Sequence, residues 1–124
     1  EYTTVINMPT TDFQKIIRDM AGISDRIEIK SEGDDLIFNC EGNFATSRIF
    51  RTESQGNMNF INKPDAQTAV QGEFSLKSLS HFIKCTPLCS NLEIYIGNDL
   101  PLIVKYDVAS LGSIKLCLAS LPSS

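Results

Sequence analysis

Lys15 and Arg18 stand three apart in the stretch 11–21, and Lys77, His81 and Lys84 stand at i, i+4 and i+7 in the stretch 75–85. In a helix these spacings set the side chains on one face, so each stretch turns a row of cations to solvent. Point charges without interleaved aromatic residues suit contact with phosphates rather than stacking on bases. Such contact is sequence-blind, weak per copy and sensitive to salt. The plainer alternative for a single row is a solvated helix face. Two rows at matching places raise the phosphate reading, because helices laid side by side would join them into one basic strip.

Other groups offer less chemistry. His81, Cys85 and Cys89, spaced by four, invite zinc, but zinc takes four ligands, and structural sites bring paired cysteines from rigid turns. Cys85 ends an apolar helix, Cys89 lies beyond Thr86-Pro87, and Cys40 and Cys117 fall within strand-like runs. The four cysteines therefore read as small buried hydrophobes in a reducing, intracellular compartment, with no metal and no cofactor expected. There is one histidine, and no glycine-rich phosphate loop or nucleophile elbow. Asp34 and Asp35 are adjacent, so in a strand they would point to opposite faces, and their setting is a turn. The chain reads as a non-enzyme.

The totals bound the rest. With 11 Lys and Arg against 15 Asp and Glu, the net charge of −4 excludes a uniformly basic nucleic-acid binder but not a local basic face. The 124 residues suffice for one domain with a proper core. No run approaches the roughly twenty apolar residues of a membrane helix. Glu1 does not open a signal peptide, and with no initiator Met the chain reads as an excised fragment.

The elements that must position the cations follow from periodicity. A strand is expected over 3–8 and a helix over 11–21, with Phe13, Ile16, Ile17 and Met20 as its core stripe. Thr11 with Gln14 resembles a capping box, Thr10 being the alternative cap. Strands follow over 26–31, 36–41 and 46–53, the last carrying two arginines as edge strands often do. Residues 54–69 read as a long loop holding a short strand near 58–61. A strand over 70–74 leads into a helix over 75–85, built on Leu76, Leu79, Phe82 and Ile83. A strand over 92–96 and a hairpin of 102–108 with 113–118 complete the pattern, Pro101 standing at the entrance and 121–124 forming a frayed tail. The order is strand, helix, three strands, twice over. Lys15-Ile16-Ile17-Arg18 matches His81-Phe82-Ile83-Lys84, and Gly33-Asp34-Asp35-Leu36 matches Gly97-Asn98-Asp99-Leu100. A duplicated βαβββ unit follows, of class α+β, with two helices packed on one face of antiparallel sheet. Leu100-Pro101 and the apolar exit at 118–121 are either packing or a patch for a partner.

On EYTTVINMPTTDF (1–13), KIIRDM (15–20), FIKCTPLCSNLEIYI (82–96) and above all NDLPLIVKYDVASLGSIKLCLA (98–119), the chain resembles the C-terminal half of a eukaryotic-type sliding DNA clamp, the proliferating cell nuclear antigen family. The last run follows the family pattern D-x-P-L-x-V-x-Y-x-[IV]-A-x-x-G-x-[LI]-K-x-x-L-A almost step for step. The resemblance, which covers 1 to about 120, implies a single clamp domain over 1–124, the N-terminal domain and connector being absent. It implies the DNA-clamp fold and a trimeric ring around duplex DNA in the nucleus. Such a ring is a DNA polymerase processivity factor that tethers replication and repair proteins. By position, Lys15, Arg18, Lys77 and Lys84 would meet DNA. Ser47, Arg48, Ile49, Phe50, Arg51, Thr52 and Glu53 would pair with a neighbouring subunit. Leu100, Pro101, Cys117, Ala119 and Ser120 would dock the Q-x-x-hydrophobic-x-x-aromatic-aromatic peptides of polymerase, clamp loader and other partners. Cys117 stands where relatives carry Tyr, and Ser120 where they carry Pro, which points to a shallower or retuned pocket. A stand-alone peptide-binding module, or a checkpoint-type relative in a hetero-trimer, is the alternative.

Overall fold

The structure is a computed structural model that describes residues 2–65, 68–85, 90–108 and 112–122. Its helices follow their apolar stripes. α1 (Thr10–Ala21) buries Phe13, Ile16, Ile17 and Met20. α2 (Leu76–Cys85) buries Leu76 and Leu79 and packs Phe82 and Ile83 at the core margin. Around them run β1 (Thr4–Pro9), β2 (Arg26–Glu32), β3 (Asp35–Glu41), β4 (Thr46–Thr52), β5 (Asn59–Asn62), β6 (Val70–Ser75), β7 (Asn91–Ile96), β8 (Leu102–Val108) and β9 (Gly112–Leu118). Alternation settles their inner faces: Ile27 and Ile29 of β2, Ile94 and Ile96 of β7, and Val104 and Tyr106 of β8 are all buried.

The antiparallel sheet expected beneath the helices comes as two. One has the order β5-β1-β7-β8-β9 and the other β4-β3-β2-β6. The duplication explains this arrangement. Without β5, the order β1-β7-β8-β9 repeats β6-β2-β3-β4, so each half gives its first strand to the other half's sheet. The helix starts interlock in the same way. Thr10 N–H donates to Ser90 O (3.1 Å) and Leu76 N–H to Asp25 O (2.9 Å), each acceptor lying just before the second strand of the opposite half. Both helices and both sheets close over one core. Phe13 meets Phe38 edge-on at 6.4 Å, and Phe82 stacks on Tyr106 at 5.3 Å.

Local differences from the sequence reading have local causes. No capping box forms at α1. Pro9 occupies the N-cap position without a side-chain bond, and the Ser90 carbonyl takes the Thr10 N–H. Ser75, expected in the helix, ends β6 and caps α2 by accepting from Ser78 N–H at 3.2 Å. Glu53 leaves β4 to open a 3-10 turn, Glu53–Gln55. Asp34 serves a turn, as expected: its carbonyl accepts from Glu53 N–H (3.4 Å) and its carboxylate pairs with Lys63. Among the described residues no helix is long and apolar enough to cross a membrane.

Candidate nucleic-acid interface

α1 and α2 lie against each other, and their outer sides carry Lys15, Arg18, Lys77, His81 and Lys84, all exposed. A groove of about 540 Å³ runs between the helices, lined by Gln14, Arg18, Ala21 and Gly22 on one side and Ser80, Ile83 and Lys84 on the other. Arg18 and Lys84 each stand in the last turn of their helix, where the partial negative charge of the C-terminus favours a cation. They occupy equivalent places in the two halves and share one groove. Lys77, His81 and Lys84 run along α2 over about 10 Å, at 1.5 Å per residue. Lys15 is not among the residues lining this groove and pairs with Asp19 at 2.8 Å. Among the described residues it is the one of the four expected contacts that is ion-paired, so its charge is the most diluted.

The second expected surface, β4, is one of the two outer strands of its sheet, β6 being the other. Phe50 is 49% exposed, and the Arg48 guanidinium sits 5.0 Å from the centre of its ring. Ile49 turns inward onto the core, and Ser47 is half-buried. Arg51 reaches back to α1: its Nε meets Asp12 Oδ2 at 2.7 Å and its Nη2 meets Asp12 Oδ1 at 2.8 Å, a bidentate pair. This hydrogen bonding holds the guanidinium even more firmly in its charged form. Thr52 donates from Oγ1 to Asp34 O at 3.3 Å. Glu53, outside the strand, accepts from Phe60 N–H at 3.0 Å.

The third group gathers at one end of the β8–β9 pair. Leu102 faces Leu118 and Ile103 faces Cys117, so Pro101 and Ala119 flank the same end. Leu100 is half-buried over Gly97, where an added Cβ would come within 2.5 Å of its Cδ1. Cys117, Ala119 and Ser120 are exposed. The buried role expected for Cys117 is corrected: it is exposed on β9, an outer strand of its sheet. Ser120 lines a separate cavity of about 360 Å³ with Glu28, Glu73, Asn98 and Asp99, a polar setting rather than an apolar one. Two aromatics that the sequence reading passed over stand nearby. Tyr2 donates to Pro101 O at 2.7 Å and meets Tyr95 edge-on at 6.0 Å. Tyr95 in turn donates to Glu93 Oε1 at 2.8 Å, a bond that raises its phenol pKa.

Cys40 is buried and unpaired. Cys89 and the side chain of Cys85 lie outside the described residues. Among the described residues no group of three or more His, Cys, Asp or Glu could hold a metal.

The chain matches the family model for the proliferating cell nuclear antigen C-terminal domain over residues 1–121. It is similar to the probable DNA polymerase sliding clamp 1 of Paramecium bursaria Chlorella virus 1. The two are 36% identical over 127 aligned residues, which span 99% of this chain and 47% of that protein. In fold it is similar to the crystal structure of the proliferating cell nuclear antigen from Thermococcus kodakaraensis, with a TM-score of 0.83 and 20% identity over 97% of this chain and 48% of that one. The chain thus spans about half the length of the relatives it matches.

Proposed function

The chain belongs to the family of the proliferating cell nuclear antigen C-terminal domain, and on that premise we propose that it is one half of a sliding-clamp subunit. In this reading the subunits close a trimeric ring around duplex DNA in the nucleus and act as a polymerase processivity factor. The observation that carries it is the pairing of duplicated helices on an acidic chain, with Arg18 and Lys84 across one groove and Lys77 along the same outward side. Cations on flexible stems neutralise phosphates without reading base edges, which lets a ring slide. Sliding clamps are non-enzymatic, and the chain is accordingly not an enzyme.

The remaining surfaces take their roles from the same reading. Ser47–Thr52 of β4, with Glu53 just beyond it, forms an open edge to which a neighbouring subunit adds a strand. Leu100, Pro101, Cys117, Ala119 and Ser120 form part of the docking surface for the Q-x-x-hydrophobic-x-x-aromatic-aromatic peptides of polymerases, the clamp loader and repair proteins. Substituting Lys15, Arg18, Lys77 and Lys84 by Gln in the assembled clamp tests the central claim. Processive primer extension should fall while the trimer persists, and Lys15→Gln should cost least because of Asp19. Unchanged extension at physiological salt would overturn the reading.

A further inference from the structure

The outer strand of a sheet carries backbone N–H and C=O groups that another chain's strand can take. The four outer strands here, β5, β9, β4 and β6, differ in how far the chain itself has taken those groups. On β6 the Asn98 carboxamide copies a strand partner: its Oδ1 accepts from Gln71 N–H at 3.0 Å and its Nδ2 donates to Ala69 O at 3.2 Å. Asp99, in the left-handed region at φ 61°, completes the turn that presents Asn98. Two residues further along β6, Glu73 O accepts from Leu121 N–H at 2.7 Å. Arg26 Nη1, bonded to the Glu73 carboxylate, also holds Pro122 O at 3.1 Å. On β5, Glu53 Oε2 takes Phe60 N–H at 3.0 Å. On β4 only the far end is occupied: Phe50 O accepts from Arg51 Nη1 at 2.9 Å, and Thr52 N–H donates to Asn57 Oδ1 at 3.1 Å. Among the described residues no side chain bonds the backbone of Thr46 or Arg48, or that of β9.

We propose that Asn98 and Glu53 choose the edges at which this chain takes a partner strand, by closing β6 and β5 so that strand addition is confined to β9 and the start of β4. The inference rests on the clamp reading and sharpens it: the neighbouring subunit's strand registers on Thr46, Arg48 and the Phe50 N–H, while Glu53 serves the chain's own β5. The mechanism is competition. A strand arriving at β6 would offer one donor and one acceptor to Ala69 and Gln71, and the Asn98 amide already supplies both. On β5 the obstacle is stronger, because a strand displacing Glu53 would have to cover a carboxylate. Each group already satisfied removes one hydrogen bond from the gain of a wrong pairing, about three- to tenfold in association.

The test uses this chain, whose core closes within itself, carrying Phe50→Lys to suppress pairing at β4, with mass followed by light scattering over a concentration series. Adding Asn98→Ala should bring association that reverses on dilution and sets in at a concentration at least about tenfold lower, since two bonds are removed. Adding Glu53→Ala should act through β5 and shift the onset about three- to tenfold. Asn98→Asp should stay as dispersed as the Phe50→Lys chain, because its carboxylate still accepts from Gln71 N–H and sets a charge on the edge. Amide hydrogen exchange locates the change: in dilute Asn98→Ala the Gln71 amide should exchange about three- to tenfold faster, and regain protection as concentration rises. Unaltered association in both Asn98→Ala and Glu53→Ala, or a Gln71 amide that exchanges as in the parent, would overturn the inference while leaving the clamp reading intact. Association that comes only with a lowered melting temperature and does not reverse on dilution would overturn it too, tracing the effect to the fold. A gain from Asn98→Ala in a chain indifferent to Phe50→Lys would support the closed β6 edge and overturn strand addition at β4.

Discussion

Cys40 and Cys117 sit in comparable apolar runs, yet they face opposite environments. Cys40 turns into the core from β3, and burial raises its thiol pKa above the usual 9.0. Cys117 is exposed on β9. The sign follows: below about pH 9 the Cys40 thiol is neutral in both folded and unfolded chains. Above it the unfolded chain ionises first, and stability is lost as pH rises through the higher folded value. A thiol-alkylating reagent at pH 8 should therefore modify Cys117 rapidly and Cys40 only on unfolding, as followed by peptide mass mapping. Equal rates at the two would contradict the burial of Cys40. The cations show the same divergence. Lys15 and Arg18 share a helix face, but one meets Asp19 and the other an open groove. Spacing placed both on the surface, whereas their partners depend on what lies beside each.

At the scale of elements, helices and strands were legible because apolar periodicity records which side of a segment is buried. Their starts were less so. A capping box needs a free hydroxyl at the N-cap, and the chain satisfies α1 with a carbonyl eighty residues away in sequence, Thr10 N–H to Ser90 O. No local pattern announces such a bond. The β3–β4 turn carries a similar distant constraint. A Cβ on Gly42 would stand 2.0 Å from the backbone oxygen of Ile23, an atom that cannot swing aside as a side chain can. Gly42→Ala should destabilise the chain by about 1–3 kcal/mol and lower its melting temperature by several degrees. An unchanged melt would show that the turn and the Ile23 segment part freely.

For the whole molecule, the exchange of β1 and β6 between halves makes the duplication inseparable: neither half completes a sheet without the other. It also leaves β4 and β9 as outer strands, opposite β6 and β5 at the other ends of their sheets. Phe50, half-exposed on β4, adds apolar area to that edge. The isolated chain should therefore self-associate at high concentration and dissociate on dilution. Phe50→Lys should shift this balance toward monomer, as light scattering would measure. A strictly monomeric chain at every concentration would count against strand addition at these edges.

By itself the sequence determined the element order, the duplicated βαβββ pattern, the outward cations of both helices and the family resemblance in residues 98–119, for these are properties of local periodicity and of contiguous residues. Only the tertiary structure decided that each half lends a strand to the other. Packing alone brought Arg18 and Lys84 to one groove with Gln14 and Ser80, paired Arg51 with Asp12, and left Cys117 uncovered. The physical reason is that a segment's pattern tells which face is apolar but not which other segment will cover it. That choice is made by burial and hydrogen bonding across distant parts of the chain.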